Sequence, residues 1–213
     1  MRLTNFPNVK KAAIQTNLSC RLDWIEQCNK QKLALWATYH PTQVSRQSFV
    51  AKCHSLLERN VRFSAVVVGL KEHLAEIETL RNELPAPVYL WVNAYKRETG
   101  YYQAHELQFL TTIDPLFPLN NQSHASFGKS CRTVQAVISV DGTGTIRRCH
   151  FIATPLGNIY DANFAETLRA RLCSNEACGC HIGYVHLEEL RLEEVFGVGI
   201  LERIPHSYGP ALY

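Results

Sequence analysis

The sequence predicts an α/β fold in which four strand–helix units precede a small cysteine-rich module. In the first half, short and continuously apolar runs alternate with helix-like stretches, and five of the eight cysteines lie in the last 83 residues. Uninterrupted apolar strands are typical of parallel strands that are covered on both faces. A segment rich in Pro, Asn, Ser and Gly spans residues 112–128. We therefore expect one domain over residues 1–120 and a second over residues 121–213.

The composition is that of a globular protein with reduced thiols. The 213 residues are 46% hydrophobic and 19% charged, and the formal net charge is only +3. This charge is too small to favour a nucleic acid or an anionic membrane as partner. The sequence shows neither a signal peptide nor an apolar run of transmembrane length, so we expect a cytoplasmic protein. In that compartment, clustered cysteines more often bind metal than form disulfides.

The elements of the first half follow from hydrophobic periodicity. Strands are predicted at residues 12–16, 33–38, 63–68 and 88–92, and helices at 23–31, 47–60, 72–84 and 103–111. The alternation gives four consecutive βα units. Cys53 lies on the apolar face of its predicted helix, and the spacing of Cys20 and Cys28 matches no ligand pattern. We expect these three cysteines to be structural.

Polar residues follow the predicted strands where these end, namely Thr16, Asn17, His40 and Asn93. Ligands of α/β proteins bind at the carboxyl ends of parallel strands, so we predict these four as cofactor-binding residues. The alternative is that they form turns or cap the next helix. No nucleophile–base pair accompanies them.

A β-hairpin begins the cysteine module. Strands are predicted over 133–140 and 145–152, joined by a turn at Asp-Gly-Thr-Gly, residues 141–144. If Val140 faces Thr145, Cys149 lies opposite Ala136, near Cys131. The hairpin therefore predicts that Cys131 and Cys149 form a pair.

A predicted helix over 163–172 leads to the remaining three cysteines. Two thiolates from the hairpin and two from this later loop would complete a tetrathiolate site, which suits a 4Fe-4S cluster or structural zinc. His150 and His181 are expected to neighbour the site rather than ligate. The candidate metal ligands are Cys131, Cys149, Cys173, Cys178 and Cys180, of which one of the last three is spare.

The spacing Cys131-x₁₂-Gly144-x₄-Cys149, with Gly-Asn-Ile-Tyr at 157–160, resembles the opening of SPASM and twitch domains. Those domains follow the catalytic barrel of many radical S-adenosylmethionine (radical SAM) enzymes and carry auxiliary iron–sulfur clusters. The later group, Cys173-x₄-Cys178-x-Cys180, is shorter than the SPASM run. The resemblance therefore implies one auxiliary 4Fe-4S cluster rather than two.

The first half resembles the same family. Ile-Gln-Thr-Asn at 14–17 is similar to the third strand of the partial radical SAM barrel, so the four predicted strands would be its third to sixth. The family's catalytic Cys-x₃-Cys-x₂-Cys loop and Gly-Gly-Glu stretch are absent, and Met1 stands just before that third strand. The resemblance implies the C-terminal portion of a radical SAM-type protein that modifies peptides, proteins or natural products and is inactive alone. SAM would bind only if a partner or an N-terminal region completes the site.

The resemblance also implies partners. The predicted strand at 12–16 would have an open edge, at which an N-terminal half or a second copy could associate. A peptide substrate is a further expected partner. The alternative to this whole interpretation is a non-enzymatic protein with a structural Cys₄ zinc site.

Overall fold

A computed structural model, which describes residues Arg2 to Tyr208, shows a mixed α/β protein. A parallel sheet has the strand order β1-β2-β3-β4. Its strands are β1 (Ala12–Thr16), β2 (Leu33–Tyr39), β3 (Arg62–Val68) and β4 (Leu90–Asn93). The prediction of four parallel strands alternating with helices is confirmed.

Helices α1 (Arg46–Glu58), α2 (Leu74–Glu83) and α3 (Ala104–Ile113) connect or follow these strands, and α4 (Phe117–Asn120) is a single turn. Local signals set where they begin. The Ser45 hydroxyl accepts a hydrogen bond from the Ser48 amide at 3.3 Å, and Gln103 and Glu106 form a capping box. The helix predicted over 23–31 is only a 3₁₀ turn, Asp23–Gln27. It ends where the Asn29 side chain accepts from the Gln31 amide and forms a turn instead.

The helices cover one face of the sheet. Alternate strand residues such as Leu35, Val67 and Val92 are fully buried there and belong to one apolar cluster with Phe49 and Ile77 of the helices. Cys53 is in this cluster, as expected, and burial raises the pKa of its thiol to about 12.

The C-terminal segment covers the opposite face. Ser64 of β3 donates its hydroxyl hydrogen to the carbonyl of Glu202. The Arg203 guanidinium lies 3.2 Å from the ring centroid of Trp36 and 5.3 Å from that of Trp91. The chain accordingly divides into a first unit, residues up to Asn121 together with the segment that begins at Val195, and a second unit, Gln122–Glu194. The sequence had predicted residues 195–213 in the second domain, whereas the partners of Glu202, Arg203 and Tyr208 lie in the first. Residues 209–213 lie outside the described residues.

A buried carboxylate fastens this segment to the sheet. Glu202 is 0% exposed; its Oε1 lies 2.7 Å from Lys11 Nζ and also pairs with Arg62. Lys11 immediately precedes β1, and Arg62 begins β3. The ion pairs therefore hold the C-terminal segment across the amino ends of two strands.

The two edges of the sheet differ. At β4, the Val92 amide donates to Asp114 Oδ2 at 2.9 Å, and the Val92 carbonyl accepts from Asn120 Nδ2 at 2.7 Å. The side chains of Asp114 and Asn120 thus take the hydrogen bonds that a neighbouring strand would make. Desolvation of the buried Asp114 carboxyl raises its pKa to about 6. At β1, the described residues supply no strand beyond it, and Gln15 is exposed.

The second unit contains little regular structure. Its strands are β5 (His124–Ala125), β6 (Ser139–Val140), β7 (Thr145–Arg147), β8 (Pro155–Asn158) and β9 (Ala177–Cys178). Strands β6, β7 and β8 form an antiparallel sheet, and β5 pairs with β9. Its helix is α5 (His181–Tyr184), and α6 (Leu192–Phe196) begins in this unit and ends in the first.

The predicted hairpin exists but is shorter and shifted. Val140 pairs with Ile146 rather than Thr145, and Val134 adopts a left-handed conformation that interrupts the first predicted strand. Gly144 has φ +84°, and a Cβ there would lie 2.7 Å from the Asn158 and Tyr160 side chains. The glycine is thus required by the turn and by β8. The helix predicted over 163–172 is only a 3₁₀ turn, Phe164–Thr167.

No helix in the described part of the chain is both long enough and apolar enough to cross a membrane.

We expect Glu202→Gln to lower the free energy of unfolding by about 2–3 kcal/mol, because it leaves two cations beside an uncharged buried group. Urea unfolding measures this change. Glu26→Gln is the matched control, since Glu26 forms ion pairs with Lys30 and Arg59 on the surface and should matter far less. Equal effects of the two substitutions would contradict the anchoring role of Glu202.

Candidate metal centre

The candidate ligands all lie in the second unit, and all eight cysteines, every one within the described residues, are free thiols. Cys131, Cys173 and Cys178 are buried, at 8%, 5% and 5% exposure, whereas Cys149 and Cys180 are partly exposed. Cys149 follows β7, Cys178 ends β9, and the other three lie in loops or at a helix end.

The segment from His124 to Cys131 brings three of these cysteines together. His124 pairs with Cys178 in the β5–β9 ladder. Further along, the Gly128 amide donates to the Cys173 carbonyl at 2.8 Å, and the Cys173 amide donates to the Lys129 carbonyl at 2.9 Å. Residues 124–128 had been predicted as part of a linker. They instead supply backbone hydrogen bonds that align the later cysteines.

A hydrogen-bond donor points at one of the sulfurs. The Thr133 hydroxyl donates to Cys131 Sγ at 3.2 Å. This bond favours the thiolate over the thiol, and hydrogen bonds to sulfur are among the features that tune iron–sulfur sites. Near the other cysteines, the Ser126 hydroxyl donates to the Asn175 carbonyl at 2.7 Å, and the Ile152 amide donates to the Cys149 carbonyl at 3.3 Å. The Thr133 donor escaped the sequence analysis, because a threonine near a cysteine carries no distinctive spacing.

Two of the five thiols have a raised pKa. Burial raises the pKa of Cys149, and negative charge on Cys173 or Cys131 raises it further. The pKa of Cys178 is raised first by burial and then by the charges of Cys173, Cys149 and Cys131. The cysteine charges that act on these two thiols therefore come from Cys131, Cys149, Cys173 and Cys178.

Cys180 stands apart from these interactions. It precedes α5, and its carbonyl accepts from the amides of Gly183 and Tyr184 at 2.9 and 3.0 Å. Of the five candidate ligands, Cys180 is therefore the one whose backbone begins a helix. His150 and His181 contact aromatic rings, those of Phe151 and Tyr184.

The thiols do not converge on one point. In the described part of the chain, no group of three or more His, Cys, Asp or Glu side chains is placed to hold a single metal ion. In a tetrahedral zinc site with Zn–S bonds of about 2.3 Å, the sulfurs would be only about 3.8 Å apart.

The four candidate cofactor-binding residues at the strand ends lie in different surroundings. Thr16 Oγ1 accepts from the Leu18 amide, and Asn17 Oδ1 from the Ser19 amide, both at 3.0 Å. Both side chains therefore stabilise the turn after β1, which was the alternative interpretation. Asn17 and His40 nevertheless line a common cleft of about 280 Å³, together with Ser19, Gln43 and Lys52. Thr16 and Asn93 do not line it; Asn93 ends β4, paired with Val68.

Comparisons with protein-family models, with curated proteins and with solved structures found no significant match to the chain.

The raised pKa values of Cys149 and Cys178 predict how the metal-free, reduced protein responds to pH. The folded state holds these protons more tightly than the unfolded state, so stability falls as the pH rises above about 8.5, the pKa of an unfolded cysteine. Thermal unfolding between pH 7 and pH 10 measures the loss. We expect a smaller loss in the double variant Cys149→Ser/Cys178→Ser. Cys53 contributes equally to both proteins, so identical pH dependence would contradict the prediction.

Proposed function

We propose that Cys131, Cys149, Cys173 and Cys178 bind an auxiliary 4Fe-4S cluster. The observation that carries this proposal is that backbone pairing of the His124–Cys131 segment brings together Cys131, Cys173 and Cys178, three buried thiols from distant parts of the sequence. The Thr133 hydroxyl that donates to Cys131 Sγ supports it, since such a bond stabilises a thiolate. Cys180, the fifth candidate, is the spare cysteine.

The proposal prefers a cluster to zinc because no described group of three or more His, Cys, Asp or Glu side chains is placed to hold a single ion. A cubane binds each thiolate at a different iron atom, so its ligands stand further apart than those of one ion. A structural Cys₄ zinc site, in an otherwise non-enzymatic protein, is the alternative.

The composition of the second unit supports a bound inorganic group. The large apolar cluster consists entirely of residues of the first unit, whereas the strands of Gln122–Glu194 have two to four residues. Units of this size seldom fold on a small core alone and often add a structural metal. Metal ligation would supply the missing folding energy.

We further propose that the chain is the C-terminal portion of a radical SAM-type protein acting on peptides, proteins or natural products. The four-stranded parallel sheet would be part of the partial barrel, and the second unit its SPASM- or twitch-like module. When bound, an auxiliary cluster supplies electron transfer or a point of substrate binding. The setting would be cytoplasmic, where thiols stay reduced.

In this proposal the cleft beside Asn17 and His40 contributes to a cofactor site at the carboxyl ends of the strands. Thr16 and Asn93 would flank it. This sequence contains no Cys-x₃-Cys-x₂-Cys loop, so SAM cleavage would need a catalytic cluster held by residues outside it.

The open edge of β1 is the proposed place of association. The β4 edge is closed by Asp114 and Asn120, whereas β1 has no described neighbour on its outer side. An added strand would bond to the outward backbone groups of β1. Its source would be a polypeptide that carries the remaining barrel strands, or a second copy.

Metal analysis tests the cluster directly. Protein purified without oxygen should be brown, with broad visible absorbance and about four iron and four sulfide per chain. Cys149→Ser should lose this content and destabilise the second unit. Cys53→Ser, which changes a buried cysteine of the first unit, should retain it. One zinc and no iron would contradict the cluster, and an unchanged Cys149→Ser variant would contradict the ligand assignment.

Sedimentation tests the open edge. We expect the isolated chain to self-associate at micromolar concentration, because β1 presents unpaired backbone groups. Gln15→Pro should reduce this association, since proline at an edge position removes a donor and blocks pairing. Thr99→Pro, on the exposed loop before Gly100, is the control. A well-behaved wild-type monomer would contradict association through β1.

A further inference from the structure

An open cleft of about 520 Å³ lies beside helix α1 in the first unit. One wall comes from α1 and its C-terminal end, and the other from residues 19–23, which follow β1. The connection from β1 to β2 contains only the 3₁₀ turn Asp23–Gln27, where the sequence predicts a longer helix. All residues that line the cleft belong to the first unit, so its chemistry is independent of the cysteines proposed as cluster ligands.

The wall supplied by α1 is polar and cationic. Its lining residues include four that are separated by four, three and four positions, a spacing that places them on one face of a helix. They are Ser48, Lys52, Ser55 and Arg59. Hydroxyl and cationic side chains therefore alternate along this wall, and Ser19 adds a further hydroxyl from the opposite wall.

The charge of Lys52 is not neutralised by a described carboxylate. Its Nζ donates to the Leu18 carbonyl and, at 3.3 Å, to the Cys20 carbonyl. An ammonium group has three donors, so these two bonds leave one donor for a ligand. The two carbonyls fix the ammonium at the junction of the walls without cancelling its charge.

The two arginines of the cleft are only weakly paired. Arg59 Nη1 donates to the carbonyl and hydroxyl of Ser55, while its Nε lies 3.4 Å from Glu26 Oε1 without forming a hydrogen bond. Arg21 pairs with Asp23 at 2.8 Å, but these side chains are 92% and 66% exposed. Ion pairs of exposed side chains contribute little. Three cations against the one carboxylate of Asp23 give the lining a net formal charge of +2.

We propose that this cleft binds the phosphate group of a small phosphomonoester. Such a group carries a charge of about −1.5 to −2 at pH 7 and three acceptor oxygens, which match the charge and the donors of the lining. Lysine binds phosphate as a point charge, and arginine binds it through a planar fork. The cleft adjoins the one beside Asn17 and His40, with which it shares Ser19 and Lys52, but both arginines belong to it alone.

Glycerol 3-phosphate is a suitable probe, with glycerol and inorganic phosphate as matched controls. We would titrate the full chain into the probe at low ionic strength and follow the phosphorus NMR signal, using calorimetry for glycerol. Saturable binding of one ester per chain is expected, with a Kd of about 1 mM or lower. Glycerol should not bind, and added NaCl should weaken the binding of the ester, because salt screens charges in an open cleft.

Substitutions locate the binding in the cleft. Arg59→Gln and Lys52→Gln should each weaken the binding of glycerol 3-phosphate roughly tenfold, because each removes a charge-assisted hydrogen bond. Arg97→Gln is the matched control. It removes the same charge from an exposed loop outside the cleft and should change the Kd less than about twofold.

Three results would overturn the proposal. The first is a wild-type chain that shows no saturable binding of the ester. The second is equal weakening by Arg59→Gln and Arg97→Gln, which would show attraction to the overall charge of the protein. The third is tighter binding of inorganic phosphate than of the ester, which would exclude the ester as ligand. If Lys52→Gln does not fold, Arg59→Gln decides, since the Arg59 guanidinium contacts only Ser55 of the same helix and the exposed Glu26 among the described residues.

Discussion

A parallel sheet is stable only when both of its faces are covered, and the first unit is organised around this requirement. Helices supply one cover from nearby sequence. The other comes from the segment after Val195, which crosses the sheet with Glu202 paired to Lys11 and Arg62. A fully buried carboxylate is favourable only with such partners, so the ion pairs fix where this segment lies. The stacking of Arg203 on Trp36 then fills the middle of that face.

The second unit is held together mainly by turns and side-chain hydrogen bonds rather than by a covered sheet. Few of its backbone groups are paired in ladders, and turns and side-chain bonds replace them. The His124–Cys131 segment acts as a central strand-like support, to which the loops of Cys173 and Cys178 are attached through backbone hydrogen bonds. This arrangement fixes the positions of the thiols but buries little apolar surface. Under the proposal of a thiolate-bound cluster, the stability of this unit would depend on that cluster.

The parts of the fold that the sequence predicted are those governed by local pattern. The strand at 12–16 coincides with β1, because an apolar run between polar residues defines its ends. The helix predicted over 163–172 was wrong, although Phe164 and Leu168 have helical spacing. The Arg148 guanidinium donates hydrogen bonds to the Arg171 and Leu172 carbonyls at the end of that segment. This interaction joins residues distant in sequence, so the local sequence pattern does not indicate it. The position of residues 195–208 was missed for the same reason, since the partners of Glu202 lie over a hundred residues away in sequence.

The candidate site shows the same division between local and long-range information. Cysteine spacing indicated the candidate ligands, and it singled out Gly144, whose positive φ in the structure gives the reason. Spacing alone could not decide which cysteine is spare. That depends on the backbone: Cys173 is fixed by Gly128 and Lys129, whereas Cys180 is committed to the start of α5. A thiol is a good ligand where the chain on both sides of it is held by bonds that metal binding need not break. By that criterion Cys173 is the better candidate for a fourth ligand than Cys180, because Arg148 also holds the two carbonyls just before Cys173.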